Sequence, residues 1–296
     1  MNTKLRKTVT LLLALIFVIS TGLLIRSGFD SVKSADSYES AEAIAQKPRE
    51  TEAIAETEAI AESETKQNVE VAEPWPAATE ATEPVMVWIP APVEEDEYMK
   101  QLQDINLDAL REVNPDVVGW IFAPNCTINY PIVQGEDNQF YLKHTWDKRK
   151  NYHGAIFMES TNSPDFQDFR TILYGHNMED ITMFGALQRY DNQRSWKKNP
   201  YIYLVTDDGV FRYEIYSTYK AEVESGTYAL ELEEMPYRAA FIRKTIEEAR
   251  YETGITPAAT DRILTLSTCV GDAAARRVVH ARLPMIQVEM KMDSPQ

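Results

Sequence analysis

Short apolar segments, each bounded by turn-forming residues, dominate the chain between residues 117 and 283. They are rich in Val, Ile, Tyr and Phe, which favour β-strands, and Gly, Pro, Asn and Asp separate them. The clearest are VVGWIFAP, INYPIVQ, GAIFMES, RTILYGH, RILTLSTC and RRVVHARL. Asp208-Gly209 joins two longer runs and is a strong signal for a β-hairpin. About eight such strands predict a closed or nearly closed β-barrel.

Two helical patterns accompany these strands. Before them, five apolar residues recur at near-helical spacing until Asn114-Pro115 ends the pattern: Met99, Leu102, Ile105, Leu110 and Val113. A longer amphipathic helix is predicted over residues 233–251, before the last two strands. Because helices do not alternate regularly with strands, a parallel α/β sheet is disfavoured. The predicted fold is mainly β, with an N-terminal helix and a long helix before the final strand pair.

The N-terminus predicts a membrane segment. Lys4, Arg6 and Lys7 precede an uncharged, mostly apolar stretch from Val9 to Ile25. As a helix this stretch is roughly 25 Å long, close to the lower limit for crossing a bilayer core. No A-x-A-like cleavage site follows it, which favours an uncleaved signal anchor over a long signal peptide. Residues 1–33 are therefore predicted to form a cytoplasmic tip and a single transmembrane anchor, with the rest of the chain extracellular.

Residues 34–97 have the composition of a disordered spacer. The chain has a formal net charge of −16, and residues 36–98 account for most of it, with seventeen acidic and three basic side chains. The segment is poor in aromatic residues and contains the repeat TEAIAETEAIAE. Such a composition cannot bury a core and repels itself into extended conformations. The sequence predicts an acidic stalk over residues 34–97 and a folded extracellular domain over residues 98–296.

Two cysteines raise the question of chemistry. Cysteine catalysis needs a thiolate, a group that handles protons and donors for an oxyanion. Cys126 has no charged neighbour in APNCTINYP, which favours a structural role. Cys269 ends a strand whose preceding residues include Ser267 and Thr268. In an oxidising compartment a disulfide is also possible. Three roles therefore stay open for Cys269: a small buried core residue, one partner of a disulfide, or a nucleophile.

The four histidines differ in their surroundings. His144 and His153 lie in polar segments and are expected at the surface, whereas His280 lies inside a strand and is expected to be packed. His176 follows the apolar run TILYG and emerges at a strand end, where loops carry function. No histidine pair has metal-ligand spacing and no Gly-rich phosphate loop is present, so no metal site is predicted.

In combination these segments resemble the sortases, cell-surface transpeptidases of Gram-positive bacteria. The resemblance is carried by TLSTC, RRVVHARL and YGHNM together with the predicted membrane anchor. Further segments are similar to class B in particular: NPDVVGWI, YPIVQGEDNQFYL, GAIFME, TILYGHNM and MFGALQRY. The resemblance extends over residues 98–290 and implies the sortase-type eight-stranded β-barrel.

The resemblance also implies roles for individual residues. Cys269 matches the nucleophile that forms an acyl thioester, and His176 matches the general acid and base. Arg276 lies five residues before Ala281 and thereby matches the arginine that stabilises the oxyanion and substrate. Arg277 is then expected to be a salt-bridging surface residue. Ser267 and Thr268 are expected to contact substrate, and the chemistry requires no cofactor.

The implied substrates are secreted proteins with a C-terminal sorting signal, and the implied acceptor is an amine of a peptidoglycan cross-bridge or a pilin. No nucleic-acid partner is expected. Val270 stands where class B relatives often carry a polar or acidic residue, and Asp272 follows in the same loop. Two alternatives remain at this stage: a surface cysteine peptidase that hydrolyses the acyl enzyme, and a non-catalytic barrel that binds a surface protein or polymer.

Overall fold

The computed structural model describes residues 28, 30–48, 85–124, 126–222, 225–229, 232–269 and 275–290. The α-helices are α1 (30–45), α2 (Glu97–Leu102), α3 (Leu107–Val113), α4 (Gln193–Lys198) and α5 (Met235–Glu247). Three 3₁₀ helices cover Phe140–Leu142, Phe184–Asp191 and Gly226–Tyr228. The strands are β1 (Val85–Pro90), β2 (Val117–Ala123), β3 (Ile128–Val133), β4 (Ile156–Met158), β5 (Arg170–Gly175), β6 (Tyr201–Thr206), β7 (Gly209–Glu222), β8 (Arg262–Cys269), β9 (Ala275–Leu283) and β10 (Met285–Met290).

Eight strands close into a barrel in the order β2-β3-β4-β5-β8-β9-β7-β6. The pairs β3–β4 and β5–β8 are parallel, and the other pairs are antiparallel. Alternate residues of each strand fill the barrel, among them Leu264, Leu266 and Val279 in the main hydrophobic cluster. The predicted eight-stranded, mainly β fold is confirmed.

Helix α5 packs on the outside of this barrel. Phe241 and Ile242 of α5 form a second buried cluster with Ile263 of β8 and Tyr216 of β7. Strands β8 and β9 are therefore covered on both faces over most of their length, which explains why their sequences are nearly continuous apolar runs.

The predicted helix before the barrel is two helices rather than one. Asn106 lies between α2 and α3, and its side chain accepts a hydrogen bond from the amide of Ala109 (3.0 Å). An Asn in this N-cap position starts a new helix and turns the chain, so the apolar spacing on either side of it belongs to separate helices.

The N-terminal segments differ from the predicted spacer. Residues 30–45 form helix α1, which buries Tyr38, Ala41 and Ala45 against the barrel. Residues 85–90 form β1, which pairs with β10 in a separate two-stranded sheet. The expectation of a disordered stalk therefore does not hold for residues 34–48 and 85–97. The repeat TEAIAETEAIAE and the rest of the predicted spacer lie outside the described residues.

The predicted membrane anchor, Val9 to Ile25, also lies outside the described residues. Within the part of the chain that the structure describes, no helix combines the length and the apolar character needed to cross a bilayer.

Candidate active site

Parallel pairing of β5 with β8 brings two sequence-predicted residues to one end of the barrel. Gly175 at the end of β5 lies opposite Thr268 in β8. The next residues along the two strands are His176 and Cys269. Because parallel strands end at the same edge of a sheet, residues 93 positions apart in sequence become neighbours there. The side chain of Cys269 lies outside the described residues, and its place follows from the backbone register.

The antiparallel ladder between β8 and β9 separates the two adjacent arginines. Cys269 lies directly opposite Arg276, and Thr268 lies directly opposite Arg277. Residues directly opposite each other in an antiparallel pair project to the same face, and successive residues project to opposite faces. Arg276 therefore belongs to the face of Cys269, which is the outer face of the barrel. Arg277 belongs to the inner face.

Two tyrosines surround the Arg276 guanidinium. Its central carbon lies 5.7 Å from the ring centroid of Tyr174 and 5.6 Å from that of Tyr228. Both distances are within the range of a cation–π interaction. The Tyr228 hydroxyl lies 2.9 Å from the hydroxyl of Ser267, which shares the outer face with Cys269. The rings thus hold a permanent positive charge beside the end of β8.

Buried polar groups support these two rings. The Tyr174 hydroxyl donates to a Glu159 carboxylate oxygen (2.9 Å), and burial raises the pKa of Tyr174, so the phenol stays neutral and able to donate. The buried Arg170 guanidinium donates to the carbonyl oxygens of Thr227 (2.6 Å) and Ala229, on either side of Tyr228. Burial lowers the pKa of Arg170 to about 10, which leaves it charged at neutral pH.

Arg277 makes a different kind of contact. Its Nε and Nη2 atoms donate to the two carboxylate oxygens of Asp191 at 3.1 and 3.0 Å. Asp191 ends the 3₁₀ helix that closes this end of the barrel. Arg277 is thus salt-bridged as predicted, but it is only 8% exposed, and the prediction of a surface position is wrong. Arg277 is buried because the 3₁₀ helix that ends at Asp191 covers the inner face of β9 at this end of the barrel.

His176 is half-buried and held through one ring nitrogen. Its Nε2 lies 2.9 Å from the carbonyl oxygen of Leu142. A carbonyl only accepts, so Nε2 carries the proton and Nδ1 keeps the free lone pair. Burial lowers the pKa of His176 below its ordinary value, the hydrogen bond to Leu142 opposes this shift, and the nearby His153 adds to it. The neutral form of His176 is therefore favoured at physiological pH.

The other three histidines have structural contacts. His144 stacks on Phe140 with ring centroids 4.0 Å apart. His153 is buried beside Asn151 and Asp180, so the predicted surface position is wrong for this residue. His280 is fully buried as expected, and burial lowers its pKa to about 3. Its ring nitrogens lie 3.0 Å from the Thr265 hydroxyl and 3.1 Å from that of Tyr219.

Cys126 has no disulfide partner. It is half-buried against the main hydrophobic cluster, and burial raises the pKa of its thiol, which disfavours the thiolate. In the described part of the chain Cys126 is thus a free thiol that packs against the core.

The two hydroxyl residues expected to contact substrate lie on opposite faces. Ser267 shares the outer face with Cys269, whereas Thr268 is buried on the inner face next to Gly175. Only Ser267 thus shares the face of the predicted nucleophile. Asp272 and Val270 lie outside the described residues.

A sequence profile of the Sortase domain matches residues 121–284, which is more than half of the chain. The chain belongs to the sortase family. This sortase is 30% identical over 179 residues to sortase B of Staphylococcus aureus, a match that spans 60% of this chain and 73% of that protein. It is 32% identical over 160 residues to sortase B of Listeria monocytogenes, covering 54% of this chain and 65% of the relative, just under two thirds.

Solved structures agree with this assignment. The sortase B structure of Clostridium perfringens is 30% identical, with a TM-score of 0.57 over 62% of this chain and 100% of that chain. A Bacillus anthracis protein described as similar to sortase B is 35% identical, with a TM-score of 0.55 over 62% of this chain and 83% of that chain. Family, barrel and relatives together identify a class B sortase.

Sequence reasoning missed several groups around the site: Glu159, Arg170, Tyr228 and the carbonyl of Leu142. Glu159 lies in the quoted segment GAIFMES, but nothing in its spacing shows that it meets Tyr174. The carbonyl of Leu142 has no sequence signal at all, because every residue carries one.

Proposed function

We propose that this sortase is a cysteine transpeptidase that cleaves a C-terminal sorting signal through an acyl thioester and transfers the protein to an amine. The observation that carries the proposal is the register at one barrel end. Arg276 lies opposite Cys269 in the β8–β9 ladder, and His176 directly follows β5, the strand that pairs with β8 on its other side. A nucleophile, a proton carrier and a cation are the three groups that acyl transfer requires.

In the first half-reaction the Cys269 thiol gives its proton to Nδ1 of His176, the nitrogen whose lone pair is free. The sulfur then attacks the carbonyl carbon that follows the Thr of the sorting signal. Arg276 donates hydrogen bonds to the oxyanion, and its fixed charge stabilises that anion without reorganisation. The C–N bond breaks as Nδ1 returns the proton to the departing amine, leaving the thioester.

In the second half-reaction an acceptor amine attacks the thioester. Neutral His176 takes a proton from the amine, and the C–S bond breaks as an amide forms. The lowered pKa of His176 suits this step because the imidazole is already neutral when the acyl enzyme waits for its acceptor. The thiol regains a proton from His176, which closes the cycle.

The proposed substrates are secreted proteins with a sorting signal, and the proposed acceptor is a peptidoglycan cross-bridge or pilin amine. The S. aureus relative has been solved as a sortase B–substrate complex, and a sortase B has been solved in complex with triglycine. These complexes support a peptide substrate and a small amine acceptor here. We further propose a single-pass membrane protein, because the basic tip and apolar stretch up to Ile25 precede the domain.

The test is a transfer assay with the full-length protein in detergent micelles. Fluorescent peptides with Leu-Pro-x-Thr-Gly or Asn-Pro-x-Thr signals are incubated with and without triglycine, and products are separated by chromatography and mass. We expect an amide product that depends on triglycine. Free acid alone, despite abundant triglycine, would instead indicate a cysteine peptidase. No cleavage of any peptide would support a binding barrel.

A further inference from the structure

The loop between the 3₁₀ helix at Phe140–Leu142 and β4 surrounds His176. Leu142 accepts the hydrogen bond from Nε2 at the start of this loop. At its end, Gly154 has a positive φ of 62°, and a Cβ there would lie 3.1 Å from the Leu142 oxygen and 3.2 Å from Cδ2 of His176. The backbone of Gly154 is therefore packed against both the histidine and its acceptor.

Helix α1 is bound to this loop by hydrogen bonds. The Tyr38 hydroxyl donates to the carbonyl oxygen of Gly154 (2.7 Å), and both groups are buried. Nε1 of Trp146 donates to the carbonyl oxygen of Ser37 (2.9 Å). The Asn151 side chain donates to the carbonyl oxygen of Asp30 (2.9 Å). Three points along the loop are thus fixed by a helix more than 100 residues earlier in the chain.

We propose that Tyr38 of helix α1 is a positioning residue for the catalytic histidine: through Gly154 it fixes the loop that holds His176 by its Nε2 atom. The proposal rests on the transpeptidase function proposed above. It makes α1 part of the catalytic apparatus, although Tyr38 lies in the segment whose composition predicts a spacer.

The surroundings of Tyr38 fit a fixed donor. Its ring packs edge-on against Tyr130, with centroids 5.0 Å apart. Burial raises the pKa of Tyr38 well above its ordinary value, so the hydroxyl remains protonated and can donate. Without this donor the buried carbonyl of Gly154 would lose the hydrogen bond from Tyr38, and the loop would relax toward other donors or water. Any such movement displaces the neighbouring Leu142 oxygen and the imidazole.

The test compares Tyr38→Phe with Ser40→Ala in the full-length protein. Tyr38→Phe keeps the ring and removes the hydroxyl, whereas Ser40 is an exposed residue of the same helix and serves as the control. We expect Tyr38→Phe to lower kcat for peptide transfer roughly fivefold to tenfold with an unchanged KM, because small misplacements of a catalytic group reduce the rate of the chemical step. Ser40→Ala is expected to match the wild type.

A pH profile of kcat distinguishes a change at the loop around His176 from a general loss of stability. Burial is the main cause of the low pKa of His176, so a looser loop admits water and raises that pKa toward its ordinary value. The acid limb of kcat for aminolysis, which requires neutral His176, should therefore move to higher pH in Tyr38→Phe. Hydrogen exchange of residues 141–155 should become faster, while exchange in β8 and β9 stays unchanged.

Trp146→Phe provides a second variant that removes another bond between the loop and α1. The same direction of change in kcat and pH profile is expected. An unchanged kcat and an unchanged acid limb in folded Tyr38→Phe would overturn the inference. A lower kcat accompanied by a lower melting temperature, with no shift of the acid limb, would also overturn it, because a general loss of stability would then explain the change. Absence of transfer by the wild type would instead refute the proposed function.

Discussion

The outer and inner faces of the β8–β9 ladder differ at the end where Cys269 lies opposite Arg276. The outer face carries Cys269, Arg276 and Ser267, beside two tyrosine rings. The inner face carries Thr268 and Arg277, which are buried under the 3₁₀ helix that ends at Asp191. The same residue types, a hydroxyl and an arginine, thus serve proposed chemistry on one face and packing on the other.

This difference follows from the two-residue period of a strand. A shift of one position moves a side chain from the inner face to the outer face of the ladder, so adjacent arginines cannot exchange roles. Arg276 has cation–π contacts with two rings, whereas Arg277 has a bidentate carboxylate partner. An arginine whose guanidinium is already bound to a carboxylate has fewer N–H donors left for an oxyanion.

The largest expected effect is at Cys269. Cys269→Ala should reduce transfer by at least about 10⁴-fold, because it removes the sulfur that forms the thioester. Cys126→Ala should leave kcat/KM within about twofold, since the thiol of Cys126 is a half-buried contact of the core. Product formation measured by chromatography distinguishes the two. Full activity of Cys269→Ala would exclude the mechanism.

The second effect separates the two arginines. Arg276→Ala should lower kcat/KM by roughly 10²- to 10³-fold, the usual loss when one oxyanion donor is removed. Arg277→Ala, assayed at a temperature where it is folded, should lose less than about tenfold. Steady-state rates with the same peptide and amine give both values. The reverse ranking would mean that the register of β9 is displaced by one residue.

The third effect concerns stability, for which Arg277 is expected to matter more than Arg276. Arg277→Met should lower the free energy of unfolding by about 2 kcal/mol, because it removes a nearly buried bidentate pair and leaves Asp191 with Arg250 alone. Arg276→Met should cost less than about 1 kcal/mol, since only cation–π contacts are lost. Urea unfolding at pH 7.5 measures both. A larger loss for Arg276→Met would contradict the assignment of faces.

The fourth effect, similar in size to the third, tests the covered part of the outer face, where His280 is buried beside Thr265. Burial lowers the pKa of His280 in the folded protein to about 3, while the unfolded chain has an ordinary histidine. The unfolded state therefore binds more protons below pH ~6.5, and stability is lost as the pH falls from there toward 3. This one group should contribute a loss of about 2 kcal/mol between pH 7.5 and pH 5.

Urea unfolding of His280→Gln at both pH values provides the comparison. Gln keeps hydrogen-bonding capacity without a titrating group, so its loss of stability on acidification should be about 2 kcal/mol smaller than that of the wild type. Equal losses in the two proteins would show that His280 is not held neutral in the folded state.

Much of the barrel could be predicted from the sequence. Strands rich in Val, Ile and Tyr carry their own signal, and the hairpin at Asp208-Gly209 is local. The candidate residues Cys269, His176 and Arg276 followed from motifs that lie within short segments. The choice of Arg276 over Arg277 came from the resemblance to the sortases, because Arg276 has the family's spacing to Ala281, whereas the alternation of faces along the strand could not tell which arginine faces the site.

Helix α1 could not be predicted because its buried residues are small or polar. Ser34, Ser37, Ala41 and Ala45 line the face toward the barrel with Tyr38, and such side chains give little hydrophobic periodicity. They are buried because Trp146, Asn151 and Gly154 supply partners far along the chain. A composition typical of disorder was in this case compatible with a docked helix.

Side-chain chemistry and spacing over a few residues are enough to predict the strands and the mainly β barrel, and the resemblance of short segments to the sortases supplied the candidate nucleophile, proton carrier and arginine. The surroundings of these three residues depend on long-range packing instead: the Leu142 carbonyl that selects the tautomer of His176, the tyrosine rings beside Arg276, and the carboxylate bound to Arg277. These contacts join residues separated by 34 to 102 positions. Strand register and loop packing bring them together, and no local pattern in the sequence encodes that pairing.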